Sequence, residues 1–262
     1  MLSKFFADRG THLAAMIAYF ALLSFVPLLF LSLSILGAAD QAEPSSFFVR
    51  ELQRTFPSTS VDSILRAVEA IQANATTLGI LGGAFLLWSS LSLFSVLESA
   101  FNIVYGRPNR SFLHGKALAS LMMVGSLVVL FAGLVAGSVG AELLRRNVGF
   151  VDNPVVATFV SVAVSLLSIF VFLASSYYVL TNAAMTWREV LPGAVAAAAI
   201  LEVTFQLLPQ FVIVSNHNPV LRALSWQALL LVWLYVMANV TILGAEVNWY
   251  LRRLRAGTEL PR

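Results

Sequence analysis

A carboxylate sits in the middle of one of the most apolar stretches of this sequence. Residues 189–214, EVLPGAVAAAAILEVTFQLLPQFVIV, hold Glu202 about half-way along. A charge at the centre of a membrane helix costs roughly 2.5 kcal/mol or more, so such residues face a protein interior or a wet cavity. Gln206 follows one helical turn later and shares the face of Glu202. With a rise of about 1.5 Å per residue, depth counted from the helix ends places Glu202 about 18 Å in, Asn239 about 16 Å and Ser90 about 18 Å, with Ser24 similar. Polar groups on four apolar segments therefore share one level. If their faces converge they line a polar substrate cavity at mid-membrane. The plainer reading is that Ser24, Ser90 and Asn239 each bond a neighbouring group, for around 0.6 kcal/mol apiece. Glu202 is harder to explain that way, because no cation lies in the apolar cores to neutralise it. A protonatable group at that depth could couple proton movement to transport, or contact a cationic headgroup or solute.

A second constellation falls near the ends of the apolar segments. Glu98 and Asn102 lie one turn apart, Glu246 and Asn248 close the last segment, and Arg107, Arg110, Lys116 and Arg188 stand at the same level. Ion pairing that locks helix ends together is one reading. A gate, or a rim that binds the phosphates of anionic lipid headgroups, is the other. Pro27 and Pro209 interrupt their segments and are candidate hinges, since proline removes a helical hydrogen bond and favours a kink.

Other chemistries are poorly supplied. The three histidines, His12, His114 and His217, lie in different segments, and no H-x-H or paired-carboxylate motif occurs. Metal-dependent nucleases need such clusters, so nuclease activity and nucleic-acid binding are not expected. Glu98 and Glu246 could in principle do acid/base work, but no nucleophile or metal set accompanies them. No enzymatic activity and no cofactor are expected. Cysteine is absent, which removes disulfides and thiolate metal sites.

The elements that must carry these residues are membrane helices. Hydrophobic residues make up 59% of the 262, charged residues only 11%, and mean hydropathy is +0.85; a soluble domain carries about 25% charged residues. The apolar blocks predict an all-α polytopic membrane protein, one transmembrane domain of six helices over about 11–38, 78–102, 117–141, 155–181, 190–214 and 225–250. The first block is too long for a signal-peptide core and is expected to be retained. Between helices one and two, residues 40–76 read as an amphipathic helical section on the outer face, with Phe48, Leu52 and Phe56 at helical spacing. The lead-in MLSKFFADRG is expected along the inner surface. Gly133 and Gly137 permit close helix contact. Tyr177, Tyr178, Trp187, Trp249 and Tyr250 suit an interfacial belt, whereas Trp88 and Trp233, deeper in their helices, suit packing or cavity lining.

Charge sets the orientation. Ten Lys and Arg residues, among them Lys4, Arg107, Arg110, Arg188 and Arg252, fall on the side of the termini and six on the other. By the positive-inside rule both termini are cytoplasmic.

Four stretches together resemble the YihY/BrkB family, once misnamed ribonuclease BN. They are AYFALLSFVPLL (18–29), LLWSSLSLFSVLESAFNIVYGRPNRSF (86–112), WREVLPGAVAAAAILEVTFQ (187–206) and LLVWLYVMANVTILGAEVNWYL (230–251). The resemblance spans nearly the whole chain. It implies a multi-pass protein of the bacterial cytoplasmic (inner) membrane, from a family linked to serum resistance, envelope lipid handling and small-solute or ion movement. Many relatives carry a long charged tail, so tail-borne functions are not expected here. The expected function is a transporter or translocator of lipid or a small amphiphilic solute, with membrane lipids as partners, a small solute or ion as possible cargo, and a homo-oligomer permitted. The alternative is a non-transporting scaffold for envelope integrity or serum resistance, docking through 40–76.

Overall fold

The computed structural model describes residues 2–38, 75–147, 154–217 and 226–257. Most of the section expected between helices one and two lies outside the described residues. The described chain is helical throughout, with no strand: α1 (Leu2–Ala7), α2 (Gly10–Ala38), α3 (Ala75–Val104), α4 (Phe112–Asn147), α5 (Pro154–Leu180), α6 (Trp187–His217) and α7 (Trp226–Arg255). The long helices run from 27 to 36 residues, at least about 40 Å each and enough for a hydrocarbon core of about 30 Å. Among the described residues α3 to α7 each contain a stretch apolar enough to cross a membrane, and α2 adds a shorter one over Gly10–Phe25.

α4 begins earlier and ends later than its apolar run predicts. Backbone hydrogen bonding carries a helix into polar flanks, and the first turn is set by Ser111, whose carbonyl accepts from Gly115 N at 2.9 Å. Pro27 and Pro209 both lie inside helices that continue past them.

The packing is a bundle in which α7 touches α6, α2 and α3, α2 packs on α3, and α5 packs on α6; α4 flanks α3 and α5. The closest approach is between α6 and α7. A Cβ built at Gly193 would stand 2.0 Å from the carbonyl oxygen of Gly244, and one at Gly244 would stand 2.3 Å from the Tyr177 hydroxyl. Only glycine lets these backbones meet so closely. Tyr177 of α5 reaches across and donates to the Thr241 carbonyl at 2.7 Å, pinning a third helix at the same place.

Polar residues are buried within an otherwise apolar core, and large apolar residues cover much of the surface as well. Ser24, Ser89, Ser90, Glu98, Asn102, Ser176, Glu202, Glu246 and Asn248 are buried, while Val128, Phe159, Leu167, Val203 and Leu207 are exposed. Apolar residues on both sides of the helices, with polar ones confined inside, suit a molecule whose outer solvent is hydrocarbon.

Candidate functional site

Two groups of polar residues emerge, one at mid-helix and one at the end where α2 begins and α7 finishes, called here the proximal end.

The mid-helix group is built on α6. The helix starts at a capping box, with the Thr186 amide donating to Glu189 Oε2 at 2.7 Å. Fifteen residues on, Glu202 is 6% exposed. Its Oε2 accepts from Ser165 Oγ of α5 at 2.6 Å and its Oε1 accepts from Gln206 Nε2 at 2.8 Å. Glu202 stands nine residues from Gly193, about half a turn round the helix. Gly193 faces α7, so the carboxylate is turned away from α7 and toward α5. Gln206 is exposed and links the buried acid to the surface of the bundle.

The structure thus joins Glu202 to Gln206, as their spacing predicts, and adds Ser165. It does not bond them to the other polar residues at that level. Ser24 donates to the Phe20 carbonyl of its own helix at 2.8 Å, and Asn239 donates to the Tyr235 carbonyl at 2.7 Å. Ser90 is buried beside Ser89. Among the described residues no hydrogen bond connects Ser24, Ser90 or Asn239 with Glu202. Ser165 was invisible in the sequence because serine recurs along α5 and neither its facing nor its partner is encoded in spacing alone.

The proximal group is a set of interhelical ties. Arg110, in the turn between α3 and α4, spreads its guanidinium over the carbonyls at the end of α5, Leu180 at 2.6 Å and Val179 at 3.2 Å, and that of Thr181 just beyond it at 2.9 Å. These are acceptors left without intrahelical donors at a helix end, and a planar fork of N–H groups suits them. Glu98, 5% exposed, backs the guanidinium at 3.4 Å. Asn102 is fully buried; its Oδ1 accepts from the Asn182 amide at 2.6 Å and its Nδ2 donates to Asn109 at 3.1 Å. Asn248 Oδ1 accepts from the Gly193 amide at 2.6 Å, tying α7 to α6. Arg252 pairs with Glu189 at 3.5 Å and donates to the Ala184 carbonyl at 2.8 Å.

Lys4 of α1 closes this end. Arg9 adopts φ 56° and Phe5 lies over Gly10, so the short helix folds back on α2. Lys4 Nζ then donates to Asp8, to the Val104 carbonyl that ends α3 at 2.7 Å, and to Glu246 Oε1 at 3.4 Å. Its ammonium also sits 4.4 Å from the ring centroid of Trp249. The lead-in expected to lie along the surface is in part seated in the bundle, with Phe5 buried and Phe6 67% exposed. Burial pushes the Tyr105 phenol well above its ordinary range, with Arg252 pulling the other way.

Of the expected rim, Glu98, Asn102, Arg110, Glu246 and Asn248 are engaged in these ties. Arg107 and Arg188 are exposed and make no side-chain bond to another described residue. The aromatic expectations divide. Trp187 and Tyr178 stack at the surface with centroids 4.3 Å apart, as an interfacial belt requires. Tyr177 and Trp249 are buried instead, held by the Thr241 carbonyl and by Lys4. Trp233 is buried as expected, but Trp88 is 53% exposed, against Phe20 and Phe85. Among the described residues no group of three His, Cys, Asp or Glu side chains could hold a metal ion.

The sequence matches the family described as Virulence factor BrkB over residues 1–262. The chain belongs to the BrkB family. Curated BrkB relatives carry the same broad description, UPF0761 membrane protein. The chain is 24% identical to one from Aliivibrio salmonicida over 250 residues, 92% of this chain and 78% of the relative. It is 26% identical to one from Vibrio parahaemolyticus over 260 residues, 95% and 79% of the two chains. A third, from Nitrosospira multiformis, is 25% identical over 277 residues, 97% of this chain and 62% of the longer relative. No solved structure matches the chain. This BrkB-family chain is therefore an integral membrane protein, and several of its buried polar residues hold helices together.

Proposed function

We propose that this protein is a translocator of lipid or a small amphiphilic solute, working at the interface of α5 and α6 around Glu202. The observation that carries the reading is the partnership of that carboxylate. It is buried at mid-helix, makes no ion pair among the described residues, and is held only by a hydroxyl and an amide. A carboxylate has about four lone-pair sites, so two bonds leave it able to accept more. Gln206 carries polarity from it to the membrane-facing surface, where an amphiphile could enter sideways. A scaffold would have no use for a group that costs roughly 2.5–3.5 kcal/mol to place in the membrane. The proximal ties fit a bundle closed at that end, with Arg107 and Arg188 free to meet lipid phosphates. The excess of Lys and Arg near the termini favours that end as cytoplasmic, in a bacterial inner membrane.

The test is reconstitution into liposomes carrying a fluorescent phosphatidylethanolamine analogue, with quencher accessibility reporting movement between leaflets. The expected result is protein-dependent movement that falls at least tenfold in Glu202→Gln. Movement unchanged by that substitution removes Glu202 from the mechanism. No movement above protein-free liposomes, for this probe and for an alkylammonium dye, favours the scaffold instead.

A further inference from the structure

The donors of the mid-helix site are spent on its own carboxylate. Ser165 has one hydroxyl hydrogen and gives it to Glu202 Oε2 at 2.6 Å. Gln206 has two amide hydrogens and gives one to Oε1 at 2.8 Å. What the three side chains have left is almost wholly acceptor: the remaining lone pairs of the carboxylate, those of the serine oxygen and those of the Gln206 carbonyl, against a single amide hydrogen. Among the described residues no Lys, Arg or His pairs with the buried acid. The site is negative and short of donors. That is the reverse of what an anion needs, and it suits a cation that brings several N–H groups of its own.

The surroundings narrow the class. Val164 and Leu166 flank Ser165 on α5, and Val203, Phe205 and Leu207 lie around Gln206 on α6; all five are exposed. They fall within the stretches of α5 and α6 apolar enough to cross a membrane. A hard metal ion such as Ca²⁺ takes about six or more oxygen ligands and gains nothing from an apolar rim. A quaternary ammonium has no hydrogen to donate and is held by aromatic faces instead. A primary ammonium carries three donors on one positive charge, and the chains of a lipid would cover the rim. We infer that Ser165, Glu202 and Gln206 bind the primary-ammonium headgroup of a phospholipid, with the ammonium on the carboxylate and the phosphate outside, by the exposed Gln206 amide. The inference deepens the translocator reading and rests on the same site, but retention of a lipid is measured apart from its movement.

The experiment is native mass spectrometry of the whole chain released from detergent containing equimolar dioleoyl phosphatidylethanolamine and dioleoyl phosphatidylcholine. The two lipids share chains and phosphate and differ in their N–H groups. The unaltered protein is expected to retain the ethanolamine lipid about tenfold over the choline lipid, the difference that one charge-assisted hydrogen bond makes. In Glu202→Gln, which keeps the shape and loses the charge, the ratio should fall to near parity. Free ethanolamine at the same concentration should leave the lipid in place. Equal retention of the two lipids by the unaltered protein overturns the assignment. So does a preference that survives Glu202→Gln, or displacement of the lipid by free ethanolamine. The expected ratio without movement in liposomes would sink the translocator reading and leave this site standing; movement without a headgroup preference in retention would do the reverse.

Discussion

Arg110 is the side chain on which the proximal end depends most. It serves three carbonyls at the end of α5 and just past it, and a buried acid, at once. Arg110→Ala leaves Glu98 buried without its counter-charge, a loss of about 3–5 kcal/mol where such pairs are broken from one side. The expected outcome is a fall of several degrees in the unfolding temperature in detergent. Arg110→Lys should recover little, because a point charge cannot reach three carbonyls in a plane; full recovery would show that charge alone matters. At this scale the sequence was legible for residue identity and less so for partnership. Glu98, Asn102, Glu246 and Asn248 stood out as polar residues in apolar helices, and all four are buried. What each would touch was not encoded locally: Lys4 meets Glu246 across 242 residues and Asn102 meets Asn182 across 80. Ser24 and Asn239 bond backward to their own helices, an option open to any such residue and undetectable without coordinates.

At the scale of elements, the contact between α6 and α7 is the tightest and the most exposed to test. Gly193→Ala would drive a methyl group into the Gly244 backbone, where nothing can give way cheaply. Overpacking of this kind costs about 1–3 kcal/mol, occasionally more. The variant is expected to lose thermal stability, and a cysteine pair placed across α6 and α7 should then cross-link more slowly than in the parent. Gly125→Ala, which has open space around its Cβ, should change neither quantity. The helices themselves were readable from their apolar runs to within about three residues, except α4, whose polar flanks are helical too, and α7, which continues into its basic tail as far as Arg255. Facing was harder. Trp88 was expected inside and points out, while Ser89 and Ser90 beside it point in. In water, hydrophobicity separates core from surface; in hydrocarbon both sides are apolar, so the small polar residue marks the interior and the tryptophan does not.

The whole molecule gives a prediction about its sidedness. Both α1 and the end of α7 lie at the proximal end, joined by Lys4 and Glu246. Cysteine is absent, so single cysteines introduced at Phe6 and Arg255 can be read without background. An impermeant maleimide is expected to label both in inverted membrane vesicles and neither in intact cells. Labelling of either in intact cells would reverse the orientation proposed from the Lys and Arg distribution. The membrane class and family were legible over the whole chain, because composition and an ordered set of stretches survive even where identity to relatives is 24–26%. The task of the molecule was less so, since it rests on where one carboxylate points, and that is a property of the assembled bundle.

The pairing of Lys4 with Glu246 also orders events during synthesis. A ribosome delivers the first of these residues 242 positions ahead of the second. Until then the Lys4 ammonium has Asp8 four residues on and then the Val104 carbonyl, but not the buried carboxylate of α7. The full set of contacts of that early segment is therefore complete only once α7 has joined the bundle.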